Sequence, residues 1–142
     1  MFKGLATIIV SSLLVACVNL TPPATTPAET SYMARVMAQP YAFEVPADQA
    51  DEVWGRIQSF IGKYSSMKIQ TATDFVIETY NPGNGIVQFG YKAIKTNKGN
   101  VVEFSIGCFC GNMFSQKETE VNAHIFSLYA ATGEIMDRFI VR

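Results

Sequence analysis

Two thiol side chains, separated by one residue, lie in the segment Gly107-Cys108-Phe109-Cys110-Gly111. Thiols can bind metal ions or take part in redox chemistry. Three interpretations are open: two buried thiols on one strand face, a disulfide between them, or a metal or electron-transfer site. On a regular strand alternate Cα atoms lie about 6.6 Å apart, near the limit for a disulfide, so a bridge requires a bend at Gly107 or Gly111. Two sulfurs alone make a poor zinc site, and Cys-x-Cys is not the usual redox spacing, so we expect no metal and no cofactor.

His124, the single histidine of the chain, is the candidate general base. Such a base needs a nucleophile within about 3 Å, and no signature such as Gly-x-Ser-x-Gly points to one. We therefore expect His124 to be a surface or rim residue. The sequence predicts a protein that is not an enzyme.

Lys92, Lys95 and Lys98 form a modest basic strip on a predicted strand and the turn after it. One interpretation is an edge strand whose lysines discourage self-association. The other is a surface that contacts anionic lipid or glycan. A net charge of −1 lacks the basic excess of a nucleic-acid-binding protein, so we expect no nucleic-acid partner.

Residues 32–39 would carry one apolar face if they were helical. Its members are Tyr32, Met33, Val36 and Met37. One interpretation is the end of a linker that lies on the domain. The other is a partner-binding segment, since methionine-rich faces adapt to varied contacts.

The candidate contacts for a small ligand or a glycan are either the open face of the sheet or three aromatic residues, Tyr80, Phe89 and Tyr91. A deep apolar pocket between sheet and helix would favour this role. A filled core beneath a flat polar sheet would exclude it.

The elements that position these residues follow from periodicity. Residues 41–45 alternate and precede Pro46, which predicts a short strand. The next segment predicts a helix that ends near Lys63 and buries one apolar stripe against the core. The stripe consists of Val53, Trp54, Ile57, Phe60, Ile61 and Tyr64.

Three strands are predicted next, over residues 68–80 with an interruption at Thr73-Asp74, over 86–95 and over 101–110. One face of the third carries Val102, Phe104, Ile106, Cys108 and Cys110. For residues 116–134 a helix and a hairpin both fit. The helix is preferred because Ser115 and Glu118 form a capping-box pattern and Gly133 suits a C-cap.

The resulting fold class is α+β: a two-layer sandwich with an antiparallel sheet of about four strands packed against one long helix and one C-terminal helix. The element order is β-α-β-β-β-α.

The N-terminus predicts export. Lys3 supplies a positive charge, and Leu5 to Val15 is an apolar run of eleven residues broken by Thr7 and two serines. A helix that spans a bilayer takes about 20 residues, so this run is too short. A basic start, a short apolar run and an end in small residues are typical of a secretory signal peptide.

Leu14-Val15-Ala16-Cys17 resembles the lipobox of bacterial lipoproteins. The resemblance implies a diacylglyceryl group on the Cys17 thiol and cleavage by signal peptidase II between Ala16 and Cys17. It therefore implies that the protein meets the membrane through a lipid anchor. Val18, in place of an aspartate that retains such proteins in the inner membrane, implies an outer-membrane protein that faces the periplasm. The inner membrane and a Gram-positive surface remain the alternatives.

Three parts are predicted: a signal peptide over 1–16, the lipidated cysteine and a Pro/Thr-rich tether over 17–39, and a globular domain over 40–142. Residues 19–31, NLTPPATTPAETS, predict a semi-extended spacer that holds the domain about 40 Å from the lipid. With Cys17 lipidated, Cys108 and Cys110 have only each other as intramolecular partners, and an oxidising compartment favours a bridge.

The expected function is that of a membrane-anchored envelope lipoprotein, a structural, assembly or protein-interaction module with an envelope protein as partner. The alternative is a periplasmic lipoprotein that binds a small ligand or a glycan.

Overall fold

The computed structural model of this protein describes residues 21–83, 85, 87–112 and 115–142. The predicted signal peptide and the attachment site at Cys17 lie outside these residues. The helices are α1 (Pro27–Ala38), α2 (Ala50–Tyr64) and α3 (Gln116–Thr132). The strands are β1 (Ala42–Pro46), β2 (Ile69–Ala72), β3 (Val76–Thr79), β4 (Phe89–Lys98) and β5 (Val101–Cys110). Short 3₁₀ turns occupy Ala47–Gln49 and Asp137–Phe139. In the described ranges no helix is both long and apolar enough to cross a bilayer.

The fold is α+β, as predicted, and its strands form one antiparallel sheet in the order β1-β5-β4-β3-β2. The sheet has five strands rather than about four, because the predicted interruption at Thr73-Asp74 is a turn between β2 and β3. β4 and β5 pair along their whole length around Gly99, whose φ of 75° suits glycine. β4 lies at the centre of the sheet, so its prediction as an edge strand was wrong.

The core lies between the sheet and the helices. The predicted stripe of α2 is buried along its length. From the sheet, Phe89, Tyr91 and Phe104 reach the same core and are 0% exposed. Phe60 stacks on Phe126 of α3 at 4.3 Å between ring centroids and meets the Tyr91 ring edge-on at 5.3 Å. The space between sheet and helices is therefore filled with aromatic side chains.

Residues 116–132 form the predicted helix and not a hairpin. Gly133 closes it in the left-handed conformation, with φ of 78°, as the C-cap prediction required. The capping box was wrong in detail. Ser115 makes no capping hydrogen bond because it is not in the extended conformation that an N-cap residue adopts, and Glu118 is buried instead.

The N-terminal segment departs most from the predicted spacer. Residues 27–31 belong to α1, which begins with a capping box between Thr26 and Glu29 and has Pro27 in its first turn. These local signals outweigh the extended tendency of a Pro/Thr-rich composition. Tyr32 and Val36 are 0% exposed within the core, so α1 lies on the domain, which is the first of the two interpretations above.

Gly133→Ala is expected to lower the free energy of unfolding by about 1 kcal/mol, because alanine resists positive φ. A Cβ there would lie 3.6 Å from the nearest atom of Arg56, an ordinary contact, so strain in the backbone is the cause. Urea unfolding measures the change. Gly62→Ala in α2 is the control, since its φ is ordinary and its Cβ meets nothing within 4 Å. It should raise stability by about 0.5–1 kcal/mol. Equal effects of the two substitutions would contradict the C-cap role.

Candidate functional site

A groove lies between the C-terminal half of β5 and the N-terminal half of α3. It consists of two adjoining concavities of about 380 and 310 Å³, and both are lined by Cys108, Gln116 and Thr119. The larger is also lined by Tyr41, Ile106, Gly107, Glu120 and Ala123, and the smaller by Phe109, Cys110 and Asn112. We refer to the two together as the β5–α3 groove.

The groove follows from side-chain size along one face of β5. Val102, Phe104 and Ile106 on this face are large and buried, as the alternation predicted. Further along, Cys108 and Cys110 stand opposite Tyr91 and Phe89 of β4. Because two thiols fill less space than the aliphatic and aromatic side chains before them, α3 covers this end of the strand incompletely.

Cys108 and Cys110 are both thiols in the structure, so the candidate disulfide, one of the three open interpretations, is not formed there. The pairing of β4 with β5 is regular through Gly107, Cys108 and Cys110, so the bend that a bridge requires does not occur there. In regular strand geometry the two Cα atoms stand about 6.6 Å apart, close to the limit for a bond between the sulfurs.

Cys108 is a partly buried, neutral thiol. Withdrawal from solvent, and then the nearby Cys110, raise the pKa of Cys108 well above its usual range. The pKa of the neighbouring Tyr91 is also raised, first by its own burial and then by Cys108. Among the described residues, none meets the Tyr91 hydroxyl at hydrogen-bonding geometry, although the Cys108 thiol lies close to it. Since the thiolate is the nucleophilic form of cysteine, Cys108 suits an apolar contact better than covalent catalysis.

Alkylation should therefore distinguish buried thiols from a bridge. In a Cys110→Ser chain at about pH 8, Cys108 should react with iodoacetamide far more slowly when the protein is folded than when it is unfolded in urea. Mass spectrometry counts the adducts. In the wild-type chain, both Cys108 and Cys110 should take up the reagent in urea without reductant. A wild-type chain that takes it up only after reduction would establish the disulfide, and rapid reaction of folded Cys108 would contradict its burial.

The polar rim of the groove brings together Tyr41, Glu120 and His124. The rings of Tyr41 and His124 are 4.3 Å apart, and Tyr41 is 40% exposed. Burial and the charge of Glu120 raise the pKa of Tyr41, which places this carboxylate beside the phenol. His124 Nδ1 lies 2.8 Å from the Gln39 carbonyl oxygen, to which it donates when that nitrogen carries the proton. The contacts of His124 with Gln39 and Tyr41 hold the linker between α1 and β1. This position agrees with the prediction that His124 is a surface or rim residue.

The lysines do not form the predicted strip. Lys92 and Lys98 lie on one face of β4, while Lys95 lies on the other, where it pairs with Asp51 of α2 at 3.3 Å. Lys92 pairs with Glu78 at 3.4 Å, and Lys98 lies 2.7 Å from Glu103 and 2.9 Å from Glu44. With an acid beside each lysine and two faces involved, these residues do not make a basic surface.

The other predicted contact residues also fall in different places. Tyr32 is fully buried because it packs against Phe139, so it cannot belong to a partner surface. Met33 is half-buried against the core, and Met37 is 45% exposed. Of the three candidate aromatics, Tyr80 is 51% exposed, but Phe89 and Tyr91 are core residues on the helix side.

Six groove residues were missed: Tyr41, Asn112, Gln116, Thr119, Glu120 and Ala123. The sequence offered one signal, since Gln116 and Glu120 are four residues apart on the predicted helix and so share a face. Nothing in the sequence indicates that this face crosses β5 beside the thiols. Among the described residues no cluster of three or more His, Cys, Asp or Glu side chains is arranged to hold a metal ion.

Comparison with protein-family models, with curated proteins and with solved structures finds no match to this chain.

Proposed function

We propose that this protein is a lipid-anchored lipoprotein of the cell envelope, held in the outer membrane and facing the periplasm, whose domain binds an envelope protein without catalysing a reaction. The observation that carries the proposal is Leu14-Val15-Ala16-Cys17 at the end of a basic and apolar N-terminus. Two or three acyl chains hold a protein stably on a bilayer, at about 0.8 kcal/mol per buried methylene.

The β5–α3 groove is the surface that suits such a partner. Ile106 and the neutral Cys108 give it an apolar floor, while Gln116 and Thr119 offer hydrogen bonds. Glu120 places a negative charge at the rim. The partner that fits is an extended segment of an envelope protein, with an apolar side chain on the floor and a basic residue beside Glu120.

Metabolic labelling with palmitate tests the anchor. We expect Cys17→Ser to abolish the label and to release the chain from the membrane fraction. Cys108→Ser is the matched control, and its label should equal that of the wild type. A label that persists in Cys17→Ser would refute lipidation at this residue.

Site-specific photo-crosslinking in intact cells tests the partner. A photoreactive amino acid at Gln116 or Glu120 should give adducts with the same envelope protein. At Thr96, which is exposed on the far face of β4, it should give none. Adducts of equal yield at all three positions, or none at the two groove positions, would contradict a partner in the groove.

Binding of a small ligand or glycan is the second candidate, in the β5–α3 groove and not in the filled space between sheet and helices, because the larger concavity, of about 380 Å³, matches the size of small-ligand sites. A soluble disaccharide-peptide fragment of peptidoglycan is a suitable probe. If this candidate is correct, the probe should shift the amide NMR signals of residues 116–120, and Thr119→Trp should abolish the shifts. Signals that stay unchanged at millimolar probe would exclude this ligand class.

A further inference from the structure

The N-terminal segment joins the domain earlier in the sequence than the predicted spacer allows. Arg138 Nη2 donates to the Pro23 carbonyl oxygen at 3.3 Å, and its Nη1 pairs with Glu29. The Glu29 carboxylate also accepts the Thr26 N–H at 3.1 Å. From Pro23 onward the chain is therefore fastened to the turn Asp137–Phe139.

The covalent reach from the anchor to the domain is consequently short. Pro23 follows Cys17 by six residues. A fully extended chain covers at most about 3.6 Å per residue, so the two are within about 22 Å. This limit is close to half of the spacing of about 40 Å that a spacer of residues 19–31 predicts.

α1 and the linker after it run antiparallel to α3 and the turn after it. Three contacts establish the direction. In order along the first segment they are Glu29 with Arg138, Arg35 with Glu134, and Gln39 with His124. Because the partner numbers fall as the numbers in the first segment rise, Pro23 lies beyond the C-terminal end of α3.

The β5–α3 groove lies toward the opposite end of the same helix. Gln116, Thr119 and Glu120 belong to the first turns of α3, and Gly133 caps its last turn. A helix of 17 residues is about 26 Å long. Pro23, where the N-terminal segment joins the domain, and the groove are thus separated along α3 by most of the length of the helix.

We infer that the anchor holds this domain directly on the lipid surface with one end fixed toward the membrane. The inference rests on the proposed lipidation of Cys17. The C-terminal end of α3 and the turn Asp137–Phe139 face the lipid, and the groove opens away from it. The partner of the groove then belongs to the space or the wall layer beyond the membrane surface, not to the lipid headgroups.

Chain length, and not charge, sets this orientation. Near Pro23 and the turn Asp137–Phe139, three exposed cations each pair with an acid, and a further one, Arg142, lies over the Tyr64 ring at 5.3 Å. The pairs are Arg35 with Glu134, Lys63 with Asp137, and Arg138 with Glu29. With most of these charges paired, the net attraction to anionic lipid is small, so the orientation should not depend on salt.

Quenching by a headgroup nitroxide measures the orientation on the full lipidated protein. The protein is reconstituted in vesicles of phosphatidylethanolamine and phosphatidylglycerol that contain a lipid with the nitroxide on its headgroup. A fluorescent amino acid replaces either Ala28, exposed on α1, or Gln116, exposed at the groove. We expect the nitroxide to remove most of the fluorescence at position 28 and little of it at position 116. Raising the salt from about 0.1 M to about 1 M should leave both values unchanged.

A lengthened anchor is the matched control. About 20 residues of Gly and Ser inserted between Val18 and Asn19 add a span of about 25 Å, so the difference between the positions should disappear. The intact mass of each sample shows whether Cys17 is lipidated. It therefore distinguishes a failure of the proposed function from a failure of the orientation alone. An unmodified Cys17 would overturn the proposed function. A lipidated Cys17 with equal quenching at positions 28 and 116, or with a difference that survives the insertion, would overturn the orientation alone.

Discussion

Phe60→Ala is expected to lower the free energy of unfolding by about 3–5 kcal/mol, the usual cost of removing a fully buried aromatic ring. Phe60 is 0% exposed, and its ring centroid lies within 6 Å of those of Tyr64, Tyr91, Phe126 and Tyr129. It is the point at which α2, α3 and the sheet meet. Its removal leaves a cavity that neighbouring rings, held by other contacts, can fill only in part.

Urea unfolding measures this change, with fluorescence of the single tryptophan, Trp54, as the probe. Phe75→Ala is the matched control. Phe75 is 51% exposed, so the same substitution should cost well under about 1 kcal/mol there. Phe60→Leu retains much of the apolar volume and should give a smaller loss, which keeps the test usable if the alanine variant does not fold. Similar effects of Phe60→Ala and Phe75→Ala would contradict the aromatic core.

Asn122→Asp is expected to lower the free energy of unfolding by about 3 kcal/mol near neutral pH. Asn122 is 0% exposed, its Nδ2 donates to the Val141 carbonyl oxygen at 2.8 Å, and its Oδ1 accepts the Val141 N–H at 3.1 Å. An ionised aspartate cannot donate to that carbonyl and places a charge in the core. The pair fastens the C-terminal segment to α3, so its loss should also expose residues 139–141.

The pH dependence of this variant has a definite sign. Burial raises the pKa of a carboxyl in the folded state, so the folded variant binds a proton more tightly than the unfolded chain. The deficit of Asn122→Asp against the wild type should therefore shrink as the pH falls from about 7 toward about 4.5. The wild type contains the opposite case in Asp137. Hydrogen bonds from Tyr64 and Lys63 lower the pKa of Asp137 in the folded state. The contribution of Asp137 to the free energy of unfolding is therefore lost on acidification.

Asn97→Asp, at an exposed position near the end of β4, is the control for this substitution. It should change the free energy of unfolding by no more than about 0.5 kcal/mol at either pH. A constant deficit of Asn122→Asp across this pH range would contradict the buried pair with Val141.

The elements whose apolar period is strong could be predicted from sequence. The stripe of α2 from Val53 to Tyr64 is present with its predicted buried face. The alternation of β5 is buried from Val102 to Ile106, while Cys108 and Cys110 are only partly buried. α1 was missed in part because the composition of residues 19–31 favours an extended chain. The Thr26-x-x-Glu29 box that begins the helix was in the sequence and was the better guide.

The groove could not be predicted because it is a property of packing. Cys108 and Cys110 were identified as the residues of interest, but what surrounds them depends on where α3 crosses β5. The role of Lys92, Lys95 and Lys98 could not be predicted for a similar reason. The edge position assigned to β4 depended on a strand order that the sequence does not give. β1 pairs with β5 across an intervening helix and three strands, and this places β4 at the centre of the sheet.

The most direct test of the account is the mass of the N-terminal peptide of the protein purified from membranes in detergent. Lipidation predicts a peptide that begins at Cys17 and carries a diacylglyceryl group on its thiol, with or without an acyl chain on its amino group. A peptide that begins at Met1, or one that contains an unmodified Cys17, would contradict the lipid anchor and the orientation that depends on it.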